Sequence, residues 1–157
     1  MAAGKTTAGK EIAEFFGCFF IDCDEEIVRR TNKTIPEIFA EIKESGFRKK
    51  ESEAFANILR HAPSDSIIAA GGGLLLNEQN RKLIGDQKIV FLDTDFVKIM
   101  ERLSLRPEER PLVIGKSSEE ISRLFVERRK KYLEYADFVV KNTDEIKDLF
   151  HSLKMQE

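Results

Sequence analysis

Four short apolar runs constrain this chain more than any other feature. They are residues 18–22, 66–70, 88–92 and 137–140, each only four or five residues long, with amphipathic stretches between them. Runs of this length suit buried strands, and strands separated by helices predict a parallel sheet covered on both faces. In such α/β sheets ligands bind beyond the carboxyl ends of the strands. Asp22, the triplet Gly71-Gly72-Gly73 and the turn after Leu92 all fall at that edge.

The helices follow from apolar periodicity and from their stops. Residues 5–16 read as a helix with Ile12, Ala13, Phe15 and Phe16 on its apolar side, and Gly17 is placed to end it. Asp24 is placed to cap a helix over 25–30. Pro36 suits a first helical position and opens 37–44, Gly46 breaks that segment, and 47–60 form a further helix around Phe47, Phe55, Ile58 and Leu59. Helices are expected over 79–84, 96–103, 118–134 and 144–154, and 104–117 reads as an irregular, mobile segment. No repeat or Pro/Gly/Ser linker divides the 157 residues, so a single domain over 1–157 is expected.

Composition narrows the function. Lys plus Arg is 26 and Asp plus Glu is 28, a formal charge of -2, which argues against a nucleic-acid binder. No apolar run of about 18 residues exists, so no membrane-spanning helix is expected, and the start has no secretory pattern. Cys18 and Cys23 are too few for a disulfide scaffold and read as reduced thiols of a cytoplasmic protein. Their spacing, without clustered His, is not a zinc site. His61 and His151 carry no assigned role.

The residues that carry chemistry begin at the start. Gly4-Lys5-Thr6 ahead of a helix reads as the second half of a phosphate-binding loop, or as a plain helix start with a surface lysine. On the first reading Gly4 lets the backbone approach phosphates, Lys5 neutralises β/γ charge and the Thr6 hydroxyl ligates Mg²⁺. Asp22 and Asp24 are either a cap plus a solvated acid or two carboxylates at the ligand edge. Arg48 is either a surface arginine or a carboxylate clamp, since a guanidinium binds a carboxylate through two parallel bonds. Three glycines after a buried strand weaken the chain and pack nothing, so a close approach to a ligand explains Gly71–Gly73 better than a simple turn. Arg110-Pro111-Leu112 is a solvated loop or a lid that brings an arginine to developing charge. Arg128 lies in a run with Arg129, Lys130 and Lys131, and such a run usually marks a solvated face.

Together these residues resemble shikimate kinase, a P-loop kinase of the nucleoside-monophosphate-kinase type, over nearly the whole chain. The blocks are Gly4-Lys5-Thr6-Thr7, Phe20–Asp24, Ile38-Phe39 with Gly46–Glu51, Gly71–Gly73, Arg110-Pro111-Leu112, and Arg128 with Tyr132 and Ala136. Their ordered combination is specific where each alone is weak. The resemblance implies a three-layer α/β fold with a parallel sheet flanked by helices. It implies transfer of the γ-phosphoryl of ATP to the 3-hydroxyl of shikimate, in aromatic amino-acid (chorismate) biosynthesis. ATP and Mg²⁺ are the implied cofactors, and shikimate the partner of a cytoplasmic monomer that binds neither nucleic acid nor membrane. The implied catalytic residues are Asp24, which takes the 3-hydroxyl proton, Lys5 on the β/γ-phosphates and Arg110 on the transferred phosphate. Ala2, Ala3, Gly4, Lys5, Thr6, Thr7, Arg102 and Arg110 would hold the nucleotide, with Arg102 over the adenine. Thr6 and Asp22 would hold the metal. Asp24, Arg48, Gly71, Gly72, Gly73 and Arg128 would bind the acid. Residues 104–117 become a lid and 24–60 a substrate-binding helical segment.

Lys130 stands where the family usually has Pro, and residues 142–145 do not match the family's adenine side. The family's first strand and first loop glycine precede the position of Met1, and the sequence as given does not contain them, which reads as an incomplete start. That strand is central, so its absence is expected to leave two rows of ladder groups unpaired and a slot between the strands ending at Ala70 and Leu92. Unsatisfied buried backbone groups cost about 1–3 kcal/mol each, so weak ATP binding and poor autonomous folding are expected. The alternatives are a related small-molecule kinase of the gluconate-kinase kind and a degenerate, non-catalytic nucleotide-binding module.

Overall fold

The computed structural model describes residues 2–105 and 111–155. The elements run α1 (Lys5–Phe16), β1 (Phe19–Asp22), α2 (Cys23–Thr31), α3 (Ile35–His61), β2 (Ser66–Ala69), a 3-10 turn (Leu74–Leu76), α4 (Glu78–Ile84), β3 (Val90–Leu92), α5 (Phe96–Leu105), α6 (Ser118–Tyr135), β4 (Phe138–Val140) and α7 (Thr143–Lys154). Helix alternates with strand as the apolar runs predict. Gly17 ends α1 in a left-handed conformation (φ +66°), and its N–H donates to the carbonyls of Ala13 and Glu14.

Two local expectations are corrected. Asp24 does not cap the helix after β1; the Asp22 carboxylate does, accepting from the backbone N–H groups of Asp24 and Glu25. The helix accordingly begins at Cys23 rather than Glu25. The second correction concerns Gly46. The backbone leaves helical geometry at Lys43 (φ +60°, ψ -177°), three residues before the glycine, so α3 is two helical stretches joined at a kink. Gly46 itself is helical, with the Ile42 side chain lying where a Cβ would stand. A capping box of Thr34 and Glu37 starts α3, with Pro36 in its first turn.

The strands form two separate parallel pairs. β1 pairs with β2, in the register Phe19 to Ser66 through Asp22 to Ala69. β3 pairs with β4, Val90 to Phe138 through Leu92 to Val140. Between the pairs lies an apolar slot of about 310 Å³, walled by residues 66–70 on one side and 88–92 on the other. The unpaired edges of β2 and β3 face it. The strands flanking it are therefore half-buried where runs this apolar predict full burial: Ile67, Ile68, Val90, Phe91 and Leu92 all retain solvent contact. The Ser66 hydroxyl, at the slot wall, is buried without a hydrogen-bond partner.

Helices close both faces of this divided sheet. On one face Ala8 and Ile12 of α1 and Ile146 of α7 pack with Val140, and Ile67, Val90 and Leu92 join them from the two strand pairs. On the other, Phe55 and Ile58 of α3 and Ile84 of α4 pack with Cys23 and Leu74, joined by Ile21, Ile68 and Ile89. Ile67 and Ile68 thus face opposite layers, as the two-residue period of a strand requires. The layers draw on both strand pairs, so burial across the faces holds the halves together where no ladder does.

Candidate active site

The carboxyl ends of the strands open into a polar cavity of about 900 Å³. Its first wall is the start of α1. Gly4 precedes the helix at φ +93°, a left-handed conformation that favours glycine, and no side chain caps the first turn. The N–H groups of that turn face outward for an anion. Ala2 also has positive φ, +41°. The loop is held from α5 and the β3 end: Arg102 Nη1 donates to the Ala2 carbonyl (3.0 Å) and Thr94 Oγ1 to the Ala3 carbonyl (2.9 Å). Arg102 Nη1 lies 3.0 Å from where a Gly4 Cβ would be, so its guanidinium sits against the loop backbone.

The second wall joins α1 to β1. Thr6 Oγ1 donates to Asp22 Oδ2 at 2.6 Å, while Asp22 Oδ1 accepts from the Asp24 and Glu25 N–H groups at 2.8 and 3.4 Å. Asp22 is buried, and its two oxygens tie the phosphate-facing turn to the first turn of α2. Asp24, one step further, lines the same cavity. A hydroxyl and a carboxylate side by side suit a cation that keeps most of its shell in water and phosphate oxygens, as Mg²⁺ does. Among the described residues no cluster of three or more His, Cys, Asp or Glu could hold a metal by itself.

The third wall is cationic. Arg48 of α3 donates through Nη1 to Glu51 Oε2 (2.8 Å) and through Nη2 to Glu44 Oε1 (3.1 Å). Burial works against its charge, but Glu51 and Glu44 outweigh that and raise the guanidinium above its ordinary value. Glu51 is 1% exposed, and its Oε1 has no partner. Burial pushes its carboxyl up; Arg48 pulls it down and the Asp24 charge adds to the rise. Arg128 of α6 is buried as well, with Nε unpartnered. Burial lowers its guanidinium, and the nearby Arg48 charge lowers it further. Two guanidiniums held near each other in a partly closed space create a strong demand for an anion between them.

The glycine triplet is what lets this wall close. A Cβ on Gly71 would stand 2.3 Å from Glu51 Oε1, and one on Gly73 would stand 2.3 Å from Arg48 Nη1. The close approach expected of a ligand is therefore made, at these two positions, by the chain's own Glu51 and Arg48. Gly72 and Gly73 line the polar cavity; Gly71 lies against the slot.

The cavity brings together Ala2, Ala3, Gly4, Lys5, Thr6, Thr7, Asp22, Asp24, Arg48, Gly72, Gly73, Arg102 and Arg128. Pro111 and Leu112 reach its rim beside Val113, which is buried in an apolar cluster with Ile99, Leu103 and Ile121. Arg110 lies outside the described residues. The basic run on α6 is solvated at Lys130 and Lys131 but not at Arg128, which turns inward, nor fully at Arg129, which forks onto Asp93 at 2.8 and 2.7 Å. Three contributors carry no role in the sequence reading: Glu51 and Tyr132, which stand in the resembling blocks, and Asp93, which stands in none. The three-residue spacing of Arg48 and Glu51 on one helix, and the four-residue spacing of Arg128 and Tyr132 on another, are the signals that could find two of them.

Comparison with known proteins agrees with this geometry. A family model described as shikimate kinase matches residues 1–156. The shikimate kinase of Thermobifida fusca (strain YX) is 37% identical over 142 residues, 90% of this chain and 81% of the relative. That of Dictyoglomus turgidum is 35% identical over 153 residues, 93% of this chain and 88% of the relative. Among solved structures, the shikimate kinase of Acinetobacter baumannii in complex with shikimate superposes with a TM-score of 0.87 at 32% identity, covering 98% of this chain and 90% of that one. The shikimate kinase of Aquifex aeolicus superposes with a TM-score of 0.79 at 32% identity, covering 99% and 92%.

Proposed function

This chain belongs to the shikimate kinase family, and from that we infer that it uses ATP and Mg²⁺ to phosphorylate shikimate in aromatic biosynthesis, giving shikimate 3-phosphate and ADP. One observation carries the reading. A single cavity holds an uncapped helix start fit for phosphates, two carboxylates, and two arginines fit for an acid.

The roles of the residues follow from their chemistry. The first-turn N–H groups of α1 and the Lys5 ammonium bind the β- and γ-phosphates, with Ala2, Ala3, Gly4 and Thr7 lining their path and Arg102 bracing the loop from the nucleotide side. Thr6 and Asp22 would hold Mg²⁺, which when bound neutralises charge on the phosphate oxygens. Arg48 and Arg128 clamp the shikimate carboxylate, and the Gly71–Gly73 backbone supports the ring against them. That clamp orients the 3-hydroxyl toward the γ-phosphorus, and Asp24 accepts the hydroxyl proton as the new P–O bond forms and the bond to the β-phosphate oxygen breaks. Positioning and charge neutralisation dominate such transfers. Arg110 is assigned to the transferred phosphate as part of a lid over 104–117, and 24–60 is the acceptor-binding segment of a single domain.

The enzyme is read as a cytoplasmic monomer. Its free thiols suit a reducing compartment, and its formal charge of -2 gives no general hold on a polyanion. The test is ADP release from ATP and Mg²⁺ with and without shikimate. Shikimate-dependent release that collapses in Lys5→Ala, by about 10³-fold, is the expected result. Release that ignores shikimate, or follows another hydroxy acid better, would sink the assignment.

A further inference from the structure

Helix α6 is fastened to both halves of the divided sheet at Arg129 and Tyr132, immediately after and one turn after the acid-facing Arg128. Arg129 grips Asp93, just past β3. One turn after Arg128, the Tyr132 hydroxyl donates to the carbonyl of Gly72, just past β2. The Tyr132 ring packs against Phe91 of β3, with centroids 5.3 Å apart. Residues four apart lie on one helix face, so Arg128 and Tyr132 address the same side.

The carbonyl that Tyr132 holds belongs to the same peptide unit as the Gly73 N–H. Gly73 is the residue on which the Arg48 guanidinium rests so closely that a Cβ there would push it aside. The Leu74 N–H donates to the Gly71 carbonyl (3.1 Å) and closes a turn around this peptide, but a central peptide between two glycines can still flip its plane unless a further partner holds it. The Gly72 carbonyl has that fixing partner in Tyr132, and the partner sits on the helix that carries Arg128.

We propose that Tyr132 is a positioning residue for the acid subsite: through the Gly72–Gly73 peptide plane it sets the glycine turn, and the Arg48 resting on it, at a fixed separation from Arg128, so that one substrate carboxylate meets both guanidiniums. This rests on the reading of the cavity as a shikimate site. Burial pushes the Tyr132 hydroxyl above its ordinary value, which keeps it a donor through neutral pH. The phosphoryl transfer asks nothing else of this hydroxyl, whose bond is to the glycine turn rather than to a phosphate-facing group or a carboxylate.

Tyr132→Phe in the full chain keeps the ring on Phe91 and removes only the donor. The KM for shikimate should rise about tenfold, the loss of one hydrogen bond's worth of placement, with the KM for ATP and the urea midpoint near their original values. The discrimination between shikimate and its methyl ester, measured by calorimetric binding, should fall about tenfold. A purely structural tyrosine would raise both KM values together, or weaken acid and ester in proportion; either result overturns the proposal, as does an unchanged KM for shikimate. A second variant guards against loss of fold. Replacement of Tyr132 by 3,5-difluorotyrosine keeps the hydroxyl but makes it more acidic, so the KM for shikimate should climb with pH as the donor is lost. A flat profile overturns the assignment. If shikimate-dependent ADP release is absent even after a family-like first strand and loop glycine are added ahead of Met1, the functional reading falls and takes this inference with it; if release is present and the Tyr132 variants behave as wild type, Tyr132 alone is wrongly assigned.

Discussion

The two cavities described above share Ala70 and Gly72, just past β2, and differ in what shapes them. The larger one, about 900 Å³, is bounded by groups set in place by directional bonds: Thr6 on Asp22, Arg48 on Glu51, Arg102 on Ala2. The smaller one, about 310 Å³, is bounded mostly by aliphatic and aromatic side chains and by strand edges that no ladder pairs among the described residues. Hydrogen bonds fix angles as well as distances, so polar walls keep their shape around open volume. Apolar walls gain nothing from keeping it and lose dispersion contacts across it. The first cavity is therefore arranged for a ligand, and the second is a gap between two unpaired strand edges of the described residues.

The sharpest break of this contrast comes from Arg48→Ala. Glu51 would be left buried without its cation, and the protein should lose about 3 kcal/mol of stability, read from the urea midpoint. Adding Glu51→Gln should recover a large part of it, while shikimate binding stays lost. If Arg48→Ala were as stable as the original, the polar wall would not be held by this pair. Gly73→Ala comes next. Its Cβ would meet the Arg48 guanidinium at 2.3 Å, but the obstruction is the end of a flexible side chain. The fold should survive and the KM for shikimate rise about tenfold, with the KM for ATP unmoved.

At the slot the expected sign reverses. Ser66→Val removes a buried hydroxyl that has no partner and adds a β-branched apolar group to a strand. Stability should increase by about 1 kcal/mol, with Tm up by a few degrees and ADP release unchanged. A loss of stability would mean that the slot walls are already close-packed. The smallest effect concerns Cys23, whose apolar cluster shares Phe55, Leu74 and Ile84 with the slot wall. Burial pushes its thiol up to about 12. An alkylating agent at pH 8 should therefore label Cys18 and spare Cys23 until denaturant is added. The neutral thiol is the form the fold favours, so its contribution is complete below an unfolded-state pKa of about 8.5 and is lost as pH rises toward about 12. Rapid labelling of Cys23 in the native protein would show the slot open to reagents.

Much of this is legible in the sequence because it is local. The four apolar runs place the strands to within two residues, and Gly17 stops α1 as its position suggests. The slot between the strands ending near Ala70 and Leu92 is what the family resemblance implies, and no pattern of the residues themselves announces it. What is not legible depends on partners distant in the chain. The choice of Asp22 over Asp24 as cap turns on β1 delivering one carboxylate in extended geometry with its oxygens toward the next turn. Gly71 and Gly73 look like a ligand cradle in sequence, yet their bare Cα atoms accommodate residues 20 or more positions earlier. The inward turn of Arg128, set in a run that reads as solvated, depends on where α6 crosses the strand ends. Lys43 leaves helical geometry with no proline or glycine to announce it.

The divided sheet has a consequence for how the molecule breathes. Among the described residues no ladder joins β2 to β3, so in these 157 residues opening of the two strand pairs need not be concerted, and native-state amide exchange should separate into two blocks rather than one. The polar cavity draws its walls from both blocks, the end of β1, the glycine turn after β2 and α3 on one side and the β3 end with α6 on the other. Any ligand that occupies it acts as mortar between them. At 100 times its dissociation constant such a ligand adds about 2.7 kcal/mol to the joined state, so substrate alone should merge two exchange populations into one.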